Sequence, residues 1–166
     1  GAFYKIKTNL NIWVNQLIIY NNSYLKQLHP KKPYLVFEFF FKMSLNEYFD
    51  AAILELKKGT SQKKHPFRYF TLASLQPNTG IGLRTVVLRK VEENLDLIFY
   101  TDKRSAKIEE IKIHPEVSAL FYHPKKLLQL KIVGQANAIE DSATLKTYWN
   151  GVPTKARKDY TTNPSP

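Results

Sequence analysis

Basic and hydroxyl side chains recur at the ends of β-rich segments in the middle of the chain. Arg84-Thr85 open one such segment and Arg89-Lys90 close it, Tyr100-Thr101 end the next, and Arg104, Ser105 and Lys107 stand where a short helix is expected to begin. A helix start leaves backbone N–H groups without partners and carries the positive end of the helix dipole. Ser, Arg and Lys beside it therefore make an anion site of converging, charge-assisted donors. Strands joined by a short hairpin are neighbours, so Arg84 or Arg89 can reach the same anion. The competing reading is a set of solvated basic side chains.

Other chemistries have less support. The chain has no G-x-G-x-x-G, G-x-x-x-x-G-K-[ST] or G-x-S-x-G motif. Its histidines, His29, His65, His114 and His123, are far apart and near turns, so a metal site is not expected. Glu92-Glu93 and Glu109-Glu110 are adjacent pairs, and adjacent helix positions do not face each other, so a solvated surface is expected for them. With no cysteine, disulfides, thiolate nucleophiles and Cys-ligated metals are excluded, which fits the cytoplasm, the expected location. The formal net charge is +11 over 166 residues, which raises the question of a polyanionic partner. The basic residues are scattered, and a solvated surface, a phosphate-bearing small ligand and nucleic acid all remain open. No apolar run approaches the roughly 20 residues of a membrane span. The run Tyr34 to Phe41 is short and holds Glu38, so neither a membrane association nor a signal peptide is expected.

These side chains need elements to position them. Ser44 with Glu47 three residues on has capping-box spacing, and Leu45, Tyr48, Phe49, Ala52, Ile53 and Leu56 form an apolar face, with Gly59 placed to end the helix. From His65 onward the pattern turns to strands. FRYFTLASLQ, the Arg84 segment, LDLIFYT, VSALFYH and LLQLKIVGQANAI read as about five strands, with turns at Pro77–Gly80 and Asn94 and a bulge or close approach at Gly134. Ser105–Ile113, the stretch after Asp141 and the stretch from Pro153 read as short helices. Short turns and dominant strands argue for an antiparallel meander or barrel, mainly β within an α+β class, whose edges must be closed or paired. Residues 1–42 are rich in Asn, Tyr, Phe and Lys and have no clean period. They are read as an N-terminal extension of unclear role: an arm packed on the barrel, a segment upstream of the domain, or a stretch that supplies a strand.

The ordered motifs RTVVLR, FYT, RSAK, HPEVSALF and LLQLKIVGQA resemble the pyridoxamine 5′-phosphate oxidase-like FMN-binding split-barrel family. The resemblance runs from about Phe67 to Pro166, and residues 43–166 are taken as the domain. It implies a split β-barrel with short flanking helices that works as a homodimer with FMN at the interface. Arg84 and Lys107 would hold the phosphate, helped by Arg104 and Ser105. The backbone of Thr85, Val86, Val87 and Leu88 would line the isoalloxazine edge. Tyr100 and Thr101 would flank the phosphate and ribityl chain, and Gln129 would contact the ring from the other subunit. Family oxidases grip a phosphorylated pyridoxal-type substrate with Tyr, then Arg and Ser at four-residue steps. Here Tyr148 is followed by Val152 and Ala156.

The resulting expectation is an FMN-dependent oxidoreductase of unassigned substrate, with no catalytic side chain assigned. The alternatives are a flavin-binding module without turnover and a basic β-domain that stacks nucleic-acid bases on its aromatics. The aromatics alternate with Leu, Ile and Val as core residues do, which makes nucleic acid the least favoured partner.

Overall fold

A computed structural model describes residues 2–16, 45–77 and 80–157. Six antiparallel strands close into a barrel: β1 (Ala2–Gln16), β2 (Tyr69–Gln76), β3 (Gly80–Val91), β4 (Leu97–Thr101), β5 (Glu116–His123) and β6 (Leu128–Ala138), in the order β1-β4-β3-β2-β5-β6. Among the described residues four helices accompany them: α1 (Leu45–Ser61), α2 (Ala106–Ile113), α3 (Ser142–Gly151) and α4 (Thr154–Arg157), with a 3₁₀ turn at Pro66–Arg68. The architecture is mainly β, as the sequence pattern indicates. None of these helices is long and apolar enough to cross a membrane.

The barrel interior follows from period-two alternation. Phe70 and Leu72 of β2, Val86 and Leu88 of β3, Leu97 and Phe99 of β4, Phe121 of β5, and Leu130 and Ile132 of β6 point inward and are buried. Each such side chain contributes about 1.5–3 kcal/mol through its removal from water. Strand β4 is buried at all five positions because both its faces are covered. Leu97 and Phe99 face the interior, while Ile98 and Tyr100 pack outside with Phe3 and Val152, beneath Leu145, Tyr148 and Trp149 of α3.

The sixth strand comes from the segment without a clean period. Residues 2–16 form β1, which pairs with β4 through Ala2↔Thr101 to Ile6↔Leu97 and with β6 from Tyr4↔Ala138 to Gln16↔Leu128. Residues 2–16 thus supply a strand, and the rest of the N-terminal segment lies outside the described residues. Gly134 permits the closure: a Cβ there would collide with the Lys7 carbonyl oxygen. The sequence signal at Gly134 is thus a close backbone approach, and the register shift falls on the β1 side, between Thr8 and Ile12.

Helix α1 differs from the expected one in two respects. It runs through Gly59 to Ser61 instead of ending at Gly59, whose bare Cα faces the Phe67 backbone closely. Its buried positions are Ala52, Glu55, Leu56 and Gly59, whereas Phe49 is exposed. The Ser44 cap lies outside the described residues. Asp141 does cap α3, its Oδ2 accepting the Thr144 N–H at 2.7 Å.

The outer face of β2, β3 and β5 is apolar and bare. Ile81 and Leu83 are 66 % and 68 % exposed, and Tyr69, Leu75, Leu120 and Tyr122 are exposed beside them. The register brings them together: Leu75 faces Ile81, Ala73 faces Leu83, and Thr71 lies between Thr85 and Leu120.

Candidate functional site

The anion site expected at the Ser105 helix start takes shape between β4 and α2. Thr101, the last residue of β4, and Ser105, the N-cap residue of α2, are both buried. Lys107 reaches back over them: Nζ donates to Thr101 Oγ1 at 3.0 Å and to Ser105 Oγ. The Ser105 side chain makes no capping hydrogen bond to α2, so it leaves the N–H groups of the first helical turn without that partner. Lys107 is half-buried. Burial first, and then the nearby positive charge of Arg84, hold its ammonium below the ordinary lysine range, while Glu110 and Asp102 pull the other way. A partly desolvated ammonium beside an uncapped helix start and a second cation is an arrangement that an anion stabilises.

Arg84 sits on the inward row of β3 with Gly82, Val86 and Leu88. Its side chain folds back over Gly82, where a Cβ would collide with Nη2. The guanidinium is held by a carboxylate on α2. Arg84 Nη2 donates to Glu110 Oε2 at 2.7 Å and Nη1 donates to Ser74 Oγ, while Ser74 Oγ donates to Glu110 Oε2 at 2.5 Å and Gln76 Nε2 to Glu110 Oε1 at 3.1 Å. Burial works to raise the Glu110 carboxyl, but the hydrogen bonds of Ser74, Gln76 and Arg84 together keep it below the usual range. Arg84 and Lys107 thus approach each other closely enough to interact electrostatically, but they share no hydrogen-bonded partner.

The other expected site residues divide. Val86 and Leu88 are buried in the barrel, Thr85 is exposed and Val87 is half-buried. Pairing of β3 with β4 begins only at Leu88↔Phe99, whereas pairing with β2 extends from Val87 to Gly80. Among the described residues, β3 has no partner strand on its β4 side from Gly80 to Val87. The long β3 thus overhangs the short β4 although the six strands close the barrel, and Thr85–Val87 lie along this unpaired edge. Tyr100 faces away from Thr101, with its ring packed on Phe3 and Trp149 at centroid distances of 4.4 and 5.1 Å. Arg104 turns back to Asp102, Nη2 lying 2.6 Å from Oδ2. Gln129 lies across from Tyr122 on β6, half-buried, toward the opposite end of the barrel from α2. Within one protomer the structure therefore joins Thr101, Ser105 and Lys107, sets Arg84 nearby, and brings neither the Tyr100 ring nor Gln129 to them.

A second polar cluster was not foreseen. Glu55 of α1, buried on the helix face that carries Ala52 and Leu56, receives His65 Nε2 at 2.9 Å, Lys58 and Lys126 Nζ at 2.8 and 2.6 Å, and has His123 Nε2 at 3.5 Å. Its three potential ligand atoms lie within 4.8 Å of one another, close enough for a metal. The ring nitrogens argue otherwise. His65 Nδ1 accepts the Phe67 N–H and His123 Nδ1 accepts the Lys126 N–H, so in each neutral imidazole the proton sits on Nε2, facing Glu55. A metal-bound histidine normally donates through its other nitrogen, which these backbone contacts forbid. The one sequence signal for this cluster was a glutamate on the apolar side of a helix.

Similarity to known proteins agrees with this geometry. Residues 47–140 match the family model described as pyridoxamine 5′-phosphate oxidase, FMN-binding domain. A Caenorhabditis elegans protein named as a candidate pyridoxamine 5′-phosphate oxidase is 29 % identical over 139 residues, covering 82 % of this chain and 59 % of its own length. An Aliarcobacter butzleri pyridoxine/pyridoxamine 5′-phosphate oxidase is 32 % identical over 79 residues, covering 48 % of this chain and 37 % of its own. The chain thus spans less than two thirds of the length of either relative. The crystal structure of a pyridoxamine 5′-phosphate oxidase-related, FMN-binding protein from Nostoc punctiforme superposes with a TM-score of 0.59 at 29 % identity, covering 75 % of this chain and 68 % of that one. Since the matched stretch is more than half of the sequence and includes the Lys107 helix start, the chain belongs to the pyridoxamine 5′-phosphate oxidase FMN-binding domain family.

Proposed function

We propose that this chain binds FMN, with the phosphate against Thr101, Ser105, Lys107 and the start of α2, and that it serves as an FMN-dependent oxidoreductase. The observation that carries the reading is Lys107, a half-buried cation at an uncapped helix start with a second cation nearby. Lys107 would trade its contacts with Thr101 and Ser105 for phosphate oxygens, and those hydroxyls would then donate to the same group. The unpaired edge of β3 at Thr85–Val87 offers backbone donors and acceptors to a planar ring edge. Bound flavin would supply hydride or electron transfer; the protein supplies position and electrostatics.

We further propose that the working unit is a homodimer joined through the bare face of β2, β3 and β5. An apolar patch that includes Ile81, Leu83 and Tyr69 is costly to leave in water. Gln129 stands at the margin of this face beside Tyr122, where a second copy's flavin could meet it. Nucleic acid is the less favoured partner, because Phe70, Phe99 and Phe121 are fully buried and the exposed Tyr69 and Tyr122 belong to the face assigned to the dimer.

A non-catalytic flavin carrier remains the second reading, and one observation favours it. Val152 is buried against Phe3 and Tyr100, Ala156 packs on the same cluster, and Tyr148 donates its hydroxyl to Glu92 at 2.7 Å. The positions where family oxidases place substrate donors are packing positions here.

The test is to add FMN to the purified protein, desalt it, and record the visible spectrum. Retained oxidised-flavin absorption is the expected result, and a folded protein that retains none refutes the proposal. Reduction of the bound flavin by NADH or NADPH, followed by reoxidation, separates enzyme from carrier.

A further inference from the structure

Glu110 is a buried carboxylate that binds one of the two cations of the proposed phosphate site and acts electrostatically on the other. It stands three residues after Lys107 on α2, attracts the Lys107 ammonium, and holds the Arg84 guanidinium at 2.7 Å. Arg84 is thus tied to Glu110 and Ser74, whereas Lys107 is tied to Ser105 and Thr101 at the helix start. The charged groups that face this region are Arg84 from β3, Lys107 and Glu110 from α2, and Asp102 from the β4–α2 turn. Ser74 and Gln76 of β2 complete the hold on the carboxylate.

We propose that Glu110 is an internal counter-ion that competes with a phosphate monoester for Arg84 and so sets how strongly the site prefers a phosphorylated flavin to an unphosphorylated one. The inference rests on the FMN reading of the site. With Glu110 charged, one of the two cations is neutralised before any ligand arrives, and an incoming phosphate must draw Arg84 away or share it with a carboxylate that repels it. The arrangement lowers phosphate affinity, while Arg84 and Lys107 are not left as two uncompensated cations in a partly buried site.

The test compares FMN, riboflavin and inorganic phosphate on the full chain. Glu110→Gln keeps a side-chain oxygen to accept from Arg84 or Ser74 and removes the charge. The expected result is FMN affinity about 5- to 10-fold higher, riboflavin affinity changed by less than about twofold, and stronger competition by inorganic phosphate. Weaker FMN binding, or equal changes for FMN and riboflavin, would overturn the inference and leave Glu110 a structural residue. Should Glu110→Gln fail to fold, Glu110→Asp retracts the carboxylate by one methylene: a threefold or greater gain for FMN supports the competition, and no gain refutes it. Arg84→Ala and Lys107→Ala separate the two levels. If neither weakens FMN, the phosphate lies elsewhere, and the FMN assignment of this site and the inference fall together. If both weaken FMN while Glu110→Gln brings no gain, the site stands and only the counter-ion role is lost.

Discussion

His65 and His123 point their Nε2 atoms at the same oxygen of Glu55, at 2.9 and 3.5 Å. Each ring is turned that way by a backbone N–H bound to its Nδ1, from Phe67 and from Lys126. One carboxylate thereby ties α1 to the 3₁₀ turn that leads into β2 and to the hairpin between β5 and β6, at the end of β2 remote from Ser74 and Glu110.

Glu55→Gln should destabilise the fold by about 2–3 kcal/mol, because it leaves buried imidazole donors and two ammonium groups facing a neutral amide. Lys58 and Lys126 are partly solvated, with side chains 36 % and 51 % exposed, which keeps the loss below that of a fully buried pair. Urea melts of the two proteins at pH 7 would check it, and a loss below 0.5 kcal/mol would mean that the clamp contributes little.

The same cluster predicts an acid-sensitive fold. Burial lowers the His123 pKa, opposed by Glu55 and aided by His65 and Lys126. An unfolded histidine takes its proton near 6.5, so the unfolded chain binds more protons than the folded one just below that pH. The His123 contribution is therefore complete above about 6.5 and is lost as pH falls through the lower folded value. For Glu55, burial raises the carboxyl, but Lys126, Lys58 and His65 together hold it at about 2 against an ordinary 4.5. That contribution is complete above 4.5 and is lost toward pH 2. Melting temperatures should fall steadily from pH 7 to 3, and Glu55→Gln should flatten the lower part of the decline. Parallel curves for the two proteins would contradict this account.

Much of the barrel was legible because β2, β3, β5 and β6 carry local, period-two signals, β4 is a short apolar run, and α2 and α3 carry Ser105 and Asp141 at their starts. What escaped was non-local. β1 is placed by pairing with β4 and β6, far away in sequence, and the alternation of Leu10, Ile12 and Val14 with Asn9, Asn11 and Asn15 in its second half is short and has no turn signal to bound it. Gly59 looks like a helix end, yet its missing side chain serves contact with Phe67. Thr101, Ser105 and Lys107 lie within one short stretch and were readable as an anion site. Glu110, expected on a solvated surface, is instead buried, because its hold on Arg84 and Ser74 joins β2 and β3 to α2 across the barrel end, and no spacing rule reports it.

Strand β1 can be tested by one core residue. Ile6 is fully buried, faces Leu97 on β4 and Ala136 on β6, and fills the interior beside them. Ile6→Ala should cost about 2–5 kcal/mol through lost transfer energy and an unfilled cavity. Lys7→Ala, at an exposed neighbour, should stay within about 0.5 kcal/mol. Equal and small effects in denaturant melts would remove residues 2–16 from the barrel.

The proposed dimer makes the most exposed apolar residue the most informative. Leu83 is 68 % exposed and lies on β3 one residue before Arg84, with its side chain on the opposite face. In a lone protomer, Leu83→Lys replaces a solvated apolar group with a solvated charge, so stability should change by no more than about 0.5 kcal/mol. Across a dimer interface the same change places two ammonium groups in a desolvated apolar contact, which costs several kcal/mol and should prevent association. Light scattering should then give a wild-type mass twice the 19.3 kDa chain and a single-chain mass for Leu83→Lys. FMN retention should fall with the dimer, because the partner-side contacts, Gln129 among them, would be lost while Lys107 and Ser105 remain. A dimeric Leu83→Lys protein would move the interface to another face, and a monomeric wild type that holds FMN would show that one protomer suffices for the site.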